Sequence, residues 1–156
     1  MNKKVFIISM ISLIIDQISK LLATIFLKLN TPKTIINNFF YLNLCQNKGI
    51  AWSLLNNKRI LIIILTIIAL IVIIKFIKSF KENKRNNIAF GLLIGGLLGN
   101  LIDRVFHGYV IDFLDFYIFK YDYPVFNIAD TFIVISILLL IISIIKGDDI
   151  DDNKSK

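Results

Sequence analysis

The chain carries one cysteine and one histidine in 156 residues. Cys45 alone excludes an internal disulfide and any cysteine-rich metal site, and it reads as a small, half-buried apolar residue. His107 has no carboxylate pair at helical spacing beside it, so a zinc site is disfavoured. Ser53 has no nearby His or Lys pattern that would mark a nucleophile. Acid is also scarce, with 11 Asp and Glu against 18 Lys and Arg and a formal charge of +7. The basic residues flank apolar runs instead of forming one soluble face, so anionic lipid headgroups and not nucleic acid are the expected counter-charge.

Apolar sequence is abundant. Hydrophobic residues make up 56% of the chain, above the ~45–50% of an ordinary soluble domain. They cluster in four runs that each extend to the roughly 20 residues needed to cross a bilayer. The expected fold is an all-α integral membrane protein. It has four transmembrane helices, at about 5–27, 60–77, 88–105 and 129–146, in a single membrane domain spanning 1–147. The outer segments are 28–59 and 106–128, and residues 148–156 form a polar cytoplasmic tail expected to be solvated. Met1-Asn2-Lys3-Lys4 before an apolar run has the opening of a secretory signal, but no small-residue cleavage site follows and three more spans do.

The loop holding Lys75, Lys78, Lys81, Lys84 and Arg85 against a lone Glu82 is the strongest short positive cluster, and the positive-inside rule places it in the cytoplasm. Four spans then put both termini there as well. The division is uneven but not clean: ten basic residues fall inside and seven outside.

Span one contains Asp16, Gln17, Ser19 and Lys20. Asp16 and Lys20 share a helix face and can pair, either as a structural ion pair or as participants in chemistry. Segment 28–59 changes character, with Thr31-Pro32 as a breaker and asparagines and aromatics throughout. Asn38–Leu44 has partial alternation, so the small extracytoplasmic part is expected to hold a strand or two, with Asn47-Lys48-Gly49 as a turn. Trp52 alone reads as an interfacial anchor. Span two is nearly pure Ile and Leu, a lipid-facing wall. In span three, Gly91, Gly95 and Gly99 recur every four residues and make a groove for another helix. Gly96, Asn100 and Arg104 follow the adjacent line. Asp103 and Arg104 alone would be headgroup anchors. Asp112 alone is a loop acid, and Asp130 alone is a helix N-cap before the last span.

Two carboxylates brought together at a membrane surface would share a proton, since like charge and desolvation each oppose a second ionisation. One could then activate a water while the other hydrogen-bonds a peptide carbonyl. Spacing alone does not bring Asp112 and Asp130 together. Intramembrane charge is equally compatible with a small polytopic transporter or channel subunit lining a polar pathway. A purely structural assembly protein would use the glycine groove but leave Asp112, Asp130 and Arg104 idle.

Five motifs, in order, resemble the lipoprotein signal peptidases (signal peptidase II): Asp16-Gln17-Ile18-Ser19-Lys20, Asn47 to Ser53, Gly95 to Arg104, Val110-Ile111-Asp112-Phe113 and Phe126 to Asp130. The resemblance covers about residues 5 to 145. It implies a bacterial plasma-membrane aspartyl endopeptidase that cuts diacylglyceryl-modified prolipoproteins just before the lipidated cysteine. It also implies an active site near the outer face and no metal or organic cofactor. By match to the motifs, Asp112 and Asp130 would be the catalytic dyad. Asn47, Asn100, Arg104 and Asn127 would bind substrate or orient the site, and Asp16, Lys20, Gly99 and Asp103 would support it. Partners implied are the prolipoproteins and membrane lipids. Lys48 and Ile50 stand where short residues are common in the family, and Trp52 where Phe is common; segment 28–59 is expected to cover the site as a lid.

Overall fold

The computed structural model describes residues 2–50, 54–118 and 121–148. Trp52, Ser53 and the tail beyond Asp148 lie outside these. Four long helices follow from the four apolar runs: α1 (Lys3–Phe26), α2 (Arg59–Phe76), α3 (Lys84–Phe106) and α4 (Ile128–Ile145). All four are long and apolar enough to cross a membrane. A single 3₁₀ turn, Ile77–Ser79, extends α2. Asparagine starts three of the helices. Asn2 accepts from Val5 N, Asn83 from Asn86 N and Asn127 from Asp130 N, each satisfying an amide that has no partner within its own helix.

α3 is the central helix, and far more of its surface is buried than that of the other three. Its glycines are the reason. A methyl group on Gly95 would lie 1.9 Å from Ser12 Oγ, and one on Gly99 would lie 2.4 Å from Asp16 Oδ2. The Gly91-Gly95-Gly99 line therefore seats α1, while the adjacent Gly96 seats the start of α4 against the Ala129 carbonyl. α2 buries only Ile62 and Leu70 and turns most of its Ile and Leu side chains outward. That composition costs free energy in water and none in hydrocarbon.

At one end of the bundle sits a four-stranded antiparallel sheet in the order β1 (Lys33–Ile36), β2 (Phe40–Asn47), β3 (Val110–Ile118), β4 (Tyr121–Asp122). The strand expected near Asn38–Leu44 is β2. The partner strand β3 falls in a stretch read from sequence as a loop, so Asp112 is a strand residue, not a loop acid. Its first four residues are all buried, and a strand covered on both faces shows no polar–apolar alternation to betray it. Leu44, Ile111 and Phe113 pack on Ala23 of α1 beneath the sheet.

The opposite end is closed by a polar knot. Asn2 Nδ2 donates to Asn87 Oδ1 at 2.8 Å, Asn86 Nδ2 to the Lys81 and Asp148 carbonyls at 2.9 and 2.7 Å, and Arg85 Nε to Ser143 Oγ at 3.0 Å. Asp148, first residue of the expected tail, is thus docked: Arg85 also binds its carboxylate.

Candidate active site

The polar residues of α1, α3, β3 and α4 converge between the sheet and the helix ends. β3 enters immediately after α3, held by Asp103, whose Oδ2 accepts from Ile111 N at 3.1 Å. This fixes the start of the strand that carries Asp112. α4 starts at Asn127, and the capping box there runs both ways: Asn127 Oδ1 accepts from Asp130 N at 2.9 Å and Asn127 N donates to Asp130 Oδ2 at 3.2 Å. Asp130 is consequently the third residue of the first turn and not the N-cap expected from sequence.

One asparagine joins the two carboxylates. Asn127 Nδ2 donates to Asp112 Oδ1 at 2.7 Å and to Asn100 Oδ1 at 3.0 Å. Asn100 Nδ2 in turn donates to Asp130 Oδ1 at 2.8 Å. Asn47, at the end of β2, donates to Asp112 Oδ2 at 2.9 Å, while its Oδ1 accepts from Gly49 N. Arg104 donates to the Gly49 carbonyl at 2.7 Å, holding the chain after β2 over the site.

Beneath this layer lies a buried ionic cluster. Lys20 Nζ stands 2.9 Å from Asp16 Oδ2, 2.9 Å from Asp103 Oδ2 and 3.0 Å from Asn100 Oδ1. Asp16 Oδ1 accepts from Ala129 N at 2.9 Å, which ties α1 to the start of α4. Gln17 bonds Asp16, the Gly99 carbonyl and Asp103 at 3.1–3.3 Å. It is absent from the expected set, although an amide inside a span, next to an ion-pair residue, is itself a signal of an inward-facing polar group. Arg59 is also absent from that set. It donates to the Arg104 and Val105 carbonyls at 2.7 Å each and so occupies the C-terminal end of α3.

Asp112 is 2% exposed. Burial pushes its carboxyl up to about 7, and the negative charge of Asp130 adds to the rise; the bonds from Asn47 and Asn127 and the Lys20 cation oppose it without cancelling it. Asp112 and Asp130 both line a cavity of about 1200 Å³ that also takes in Phe116 and Phe126 of the sheet end. It continues along the bundle past Ile62 and Thr66 of α2, Leu97 of α3 and Ile133 of α4. Two facing carboxylates, one of them carrying a proton near neutral pH, can hold and activate a water. Among the described residues no group of three or more His, Cys, Asp or Glu side chains could hold a metal ion.

Residues 8–146 match the family described as Signal peptidase (SPase) II. The chain is 44% identical over 152 residues to the lipoprotein signal peptidase of Staphylococcus epidermidis (strain ATCC 12228 / FDA PCI 1200), covering 94% of each chain. It also superposes on two solved structures described as a bacterial membrane enzyme by the in meso method. For the one at 2.3 Å resolution the TM-score is 0.85 at 37% identity, covering 97% of this chain and 92% of the other. For the one at 1.9 Å the TM-score is 0.82 at 38% identity, covering 91% and 92%. A transporter or channel subunit is thereby set aside. The chain belongs to the signal peptidase II family, and it is a membrane peptidase of lipoprotein processing whose aspartic type follows from that family.

Proposed function

We propose that this protein cleaves diacylglyceryl-modified prolipoproteins immediately before the lipidated cysteine, using Asp112 and Asp130 as a proton-sharing dyad. The observation that carries this reading is the Asn127 bridge. A single side chain bonds Asp112 and caps the helix turn that bears Asp130, and both carboxylates border the same cavity.

The roles divide by environment. Asp130 lies in the first turn of α4 and accepts from Asn100 Nδ2 and from the Asn127 amide. Asp112 is buried, and its carboxyl retains a proton up to about pH 7. In the reaction, ionised Asp130 takes a proton from water as the water oxygen attacks the scissile carbonyl carbon. Protonated Asp112 donates a hydrogen bond to the carbonyl oxygen as charge develops there. Collapse of the tetrahedral intermediate breaks the C–N bond, and the proton held by Asp130 passes to the cysteine nitrogen. The signal peptide leaves as an acid and the lipoprotein as an amine. Asn47, Asn100, Asn127 and Arg104 orient the site, and Asp16, Lys20, Gly99 and Asp103 support it from below. Gln17 joins the supporting group.

The apolar continuation of the cavity between α2, α3 and α4 suits a substrate that never leaves the bilayer, since a soluble peptide would gain nothing from it. With the lysine-rich loop in the cytoplasm of a bacterial plasma membrane, both termini are cytoplasmic and the sheet end faces outward. The test is cleavage of diacylated and unmodified prolipoprotein by the purified protein, by Asp112→Asn and by Asp130→Asn. Only the diacylated substrate should be cut, and only by the wild type. A folded Asn variant working at the wild-type rate would sink the dyad, and equal cleavage of unmodified substrate would sink the substrate class.

A further inference from the structure

Lys20 is 1% exposed and, among the described residues, the one buried cation in salt-bridge contact with carboxylates; a salt bridge that keeps helices together would account for two of its three hydrogens. The third is directed elsewhere. It goes to Asn100 Oδ1 at 3.0 Å, the same amide whose Nδ2 donates to Asp130 at 2.8 Å. An ammonium has only hydrogens to offer, so Asn100 must turn its oxygen toward Lys20 and its NH₂ toward Asp130.

Asn100, Asn127 and Asp130 form a closed ring of hydrogen bonds, each bonding the next. Among the described residues, the ring's side chains have two hydrogen bonds to side chains outside it. One runs from Asn127 to Asp112, and the other is the bond from Lys20. We propose that Lys20 is a positioning residue for the dyad: through Asn100 it anchors the ring from outside and aims an amide donor at Asp130, so that the dyad holds one proton and not two. This rests on Asp112 and Asp130 being the dyad.

The charged groups facing the ring are Lys20 and Asp16 from α1, Asp103 and Arg104 from α3 and Asp112 from β3. Lys20 with Asp16 and Asp103 carries a net charge of −1. Replacing Asp16 by Asn together with Lys20 by Met also leaves −1, on Asp103. The Asp16→Asn/Lys20→Met pair therefore removes the donor to Asn100 while keeping the local charge, which separates the hydrogen bond from a plain loss of cation.

The experiment is the pH profile of kcat/KM on diacylated prolipoprotein, with thermal midpoints for every variant. Asp16→Asn/Lys20→Met should move the acid limb upward by about one pH unit, the weight of one hydrogen bond to a charged group. Lys20→Arg, which keeps both the charge and a donor to Asn100, should leave the limb in place. Adding Asn100→Ala to the pair should move it no further. A limb that stays put in the folded pair, or an additive effect of Asn100→Ala, overturns the proposal. Should the pair fail to fold, Asn100→Asp keeps the Lys20 contact but turns an oxygen toward Asp130. An unmoved acid limb in that variant overturns the proposal equally. Loss of cleavage in Asp112→Asn and Asp130→Asn marks the dyad reading as sound, so an unmoved limb alongside those losses counts against Lys20 alone.

Discussion

Replacing Asp112 by Asn should abolish cleavage and yet make the protein more stable above neutral pH. In the folded protein the Asp112 carboxyl titrates near 7 against an ordinary value of 3.8, because it is buried and faces Asp130. At ~1.4 kcal/mol per pH unit, ionising it in place costs roughly 4 kcal/mol. The sign follows from the direction. A raised carboxyl contributes its stability in full below 3.8, and that contribution is lost as pH rises from there through about 7. Asn does not titrate and escapes the loss. It brings a cost of its own, since both Asp112 oxygens accept NH₂ groups, from Asn127 and Asn47, and an Asn offers only one oxygen. One donor is left facing a donor, at about 1–3 kcal/mol. At pH 4 the variant should therefore be less stable than the wild type by about that amount. At pH 9 it should be more stable by a similar margin, a swing of roughly 4 kcal/mol. Thermal unfolding in detergent, followed by circular dichroism from pH 4 to 9, reads this as two midpoint curves that cross. Parallel curves would refute the claim that Asp112 is held neutral by burial and by Asp130.

On the proposed mechanism the same titration limits catalysis, since the reaction would need one proton on the Asp112–Asp130 pair. As pH rises past about 7 that proton is lost, so kcat/KM on diacylated substrate should fall along an alkaline limb near pH 7, a property of the pair and not of one residue. A profile flat from pH 6 to 9 would contradict it. Gly95→Ala should destabilise the bundle by about 1–3 kcal/mol, because its methyl would meet Ser12 Oγ at 1.9 Å and the Ser9 carbonyl at 2.6 Å, both on the α1 face that α3 must approach. A thermal midpoint equal to that of wild type would show that α1 can step back at no cost.

The helices were legible because a bilayer imposes one length and one composition on whatever crosses it, and all four runs satisfied both. β3 was not legible, because Val110 to Phe113 is buried on both faces and carries Asp112 in its middle, so neither alternation nor an unbroken apolar run marks it. The turn chemistry of Asn127-Ile128-Ala129-Asp130 is visible in the sequence, but the cap lies three residues before the expected Asp130. A capping box ordinarily carries Glu or Gln at N3, so Asp at that position resembles an N-cap when the sequence is taken alone. The candidate site residues were visible as types but not as partners. Asn127 is 15 residues from Asp112 and 27 from Asn100, and only the crossing of β3 with the start of α4 brings the three together.

The reliance on asparagine has a physical reason. Asp16, Asp103 and Lys20 already sum to −1 in a poorly solvated place, and the proposed dyad with one proton would add another negative charge against the single positive charge of Arg104. Each further lysine or arginine aimed at Asp112 or Asp130 would pull the remaining proton off the pair, since an opposite charge favours the ionised carboxylate. An amide donates a hydrogen bond with no net charge, so it can fix a carboxylate's position while leaving the pair protonated once. Asn47, Asn100 and Asn127 do this from three different elements, β2, α3 and the start of α4. The cations make no hydrogen bond to either carboxylate of the pair: Lys20 bonds Asn100 and Arg104 bonds the Gly49 carbonyl. A lysine in place of Asn127 would bring charge directly onto Asp112 and would leave Asp130 N without its cap. Geometry and proton count therefore both require an uncharged donor at that position.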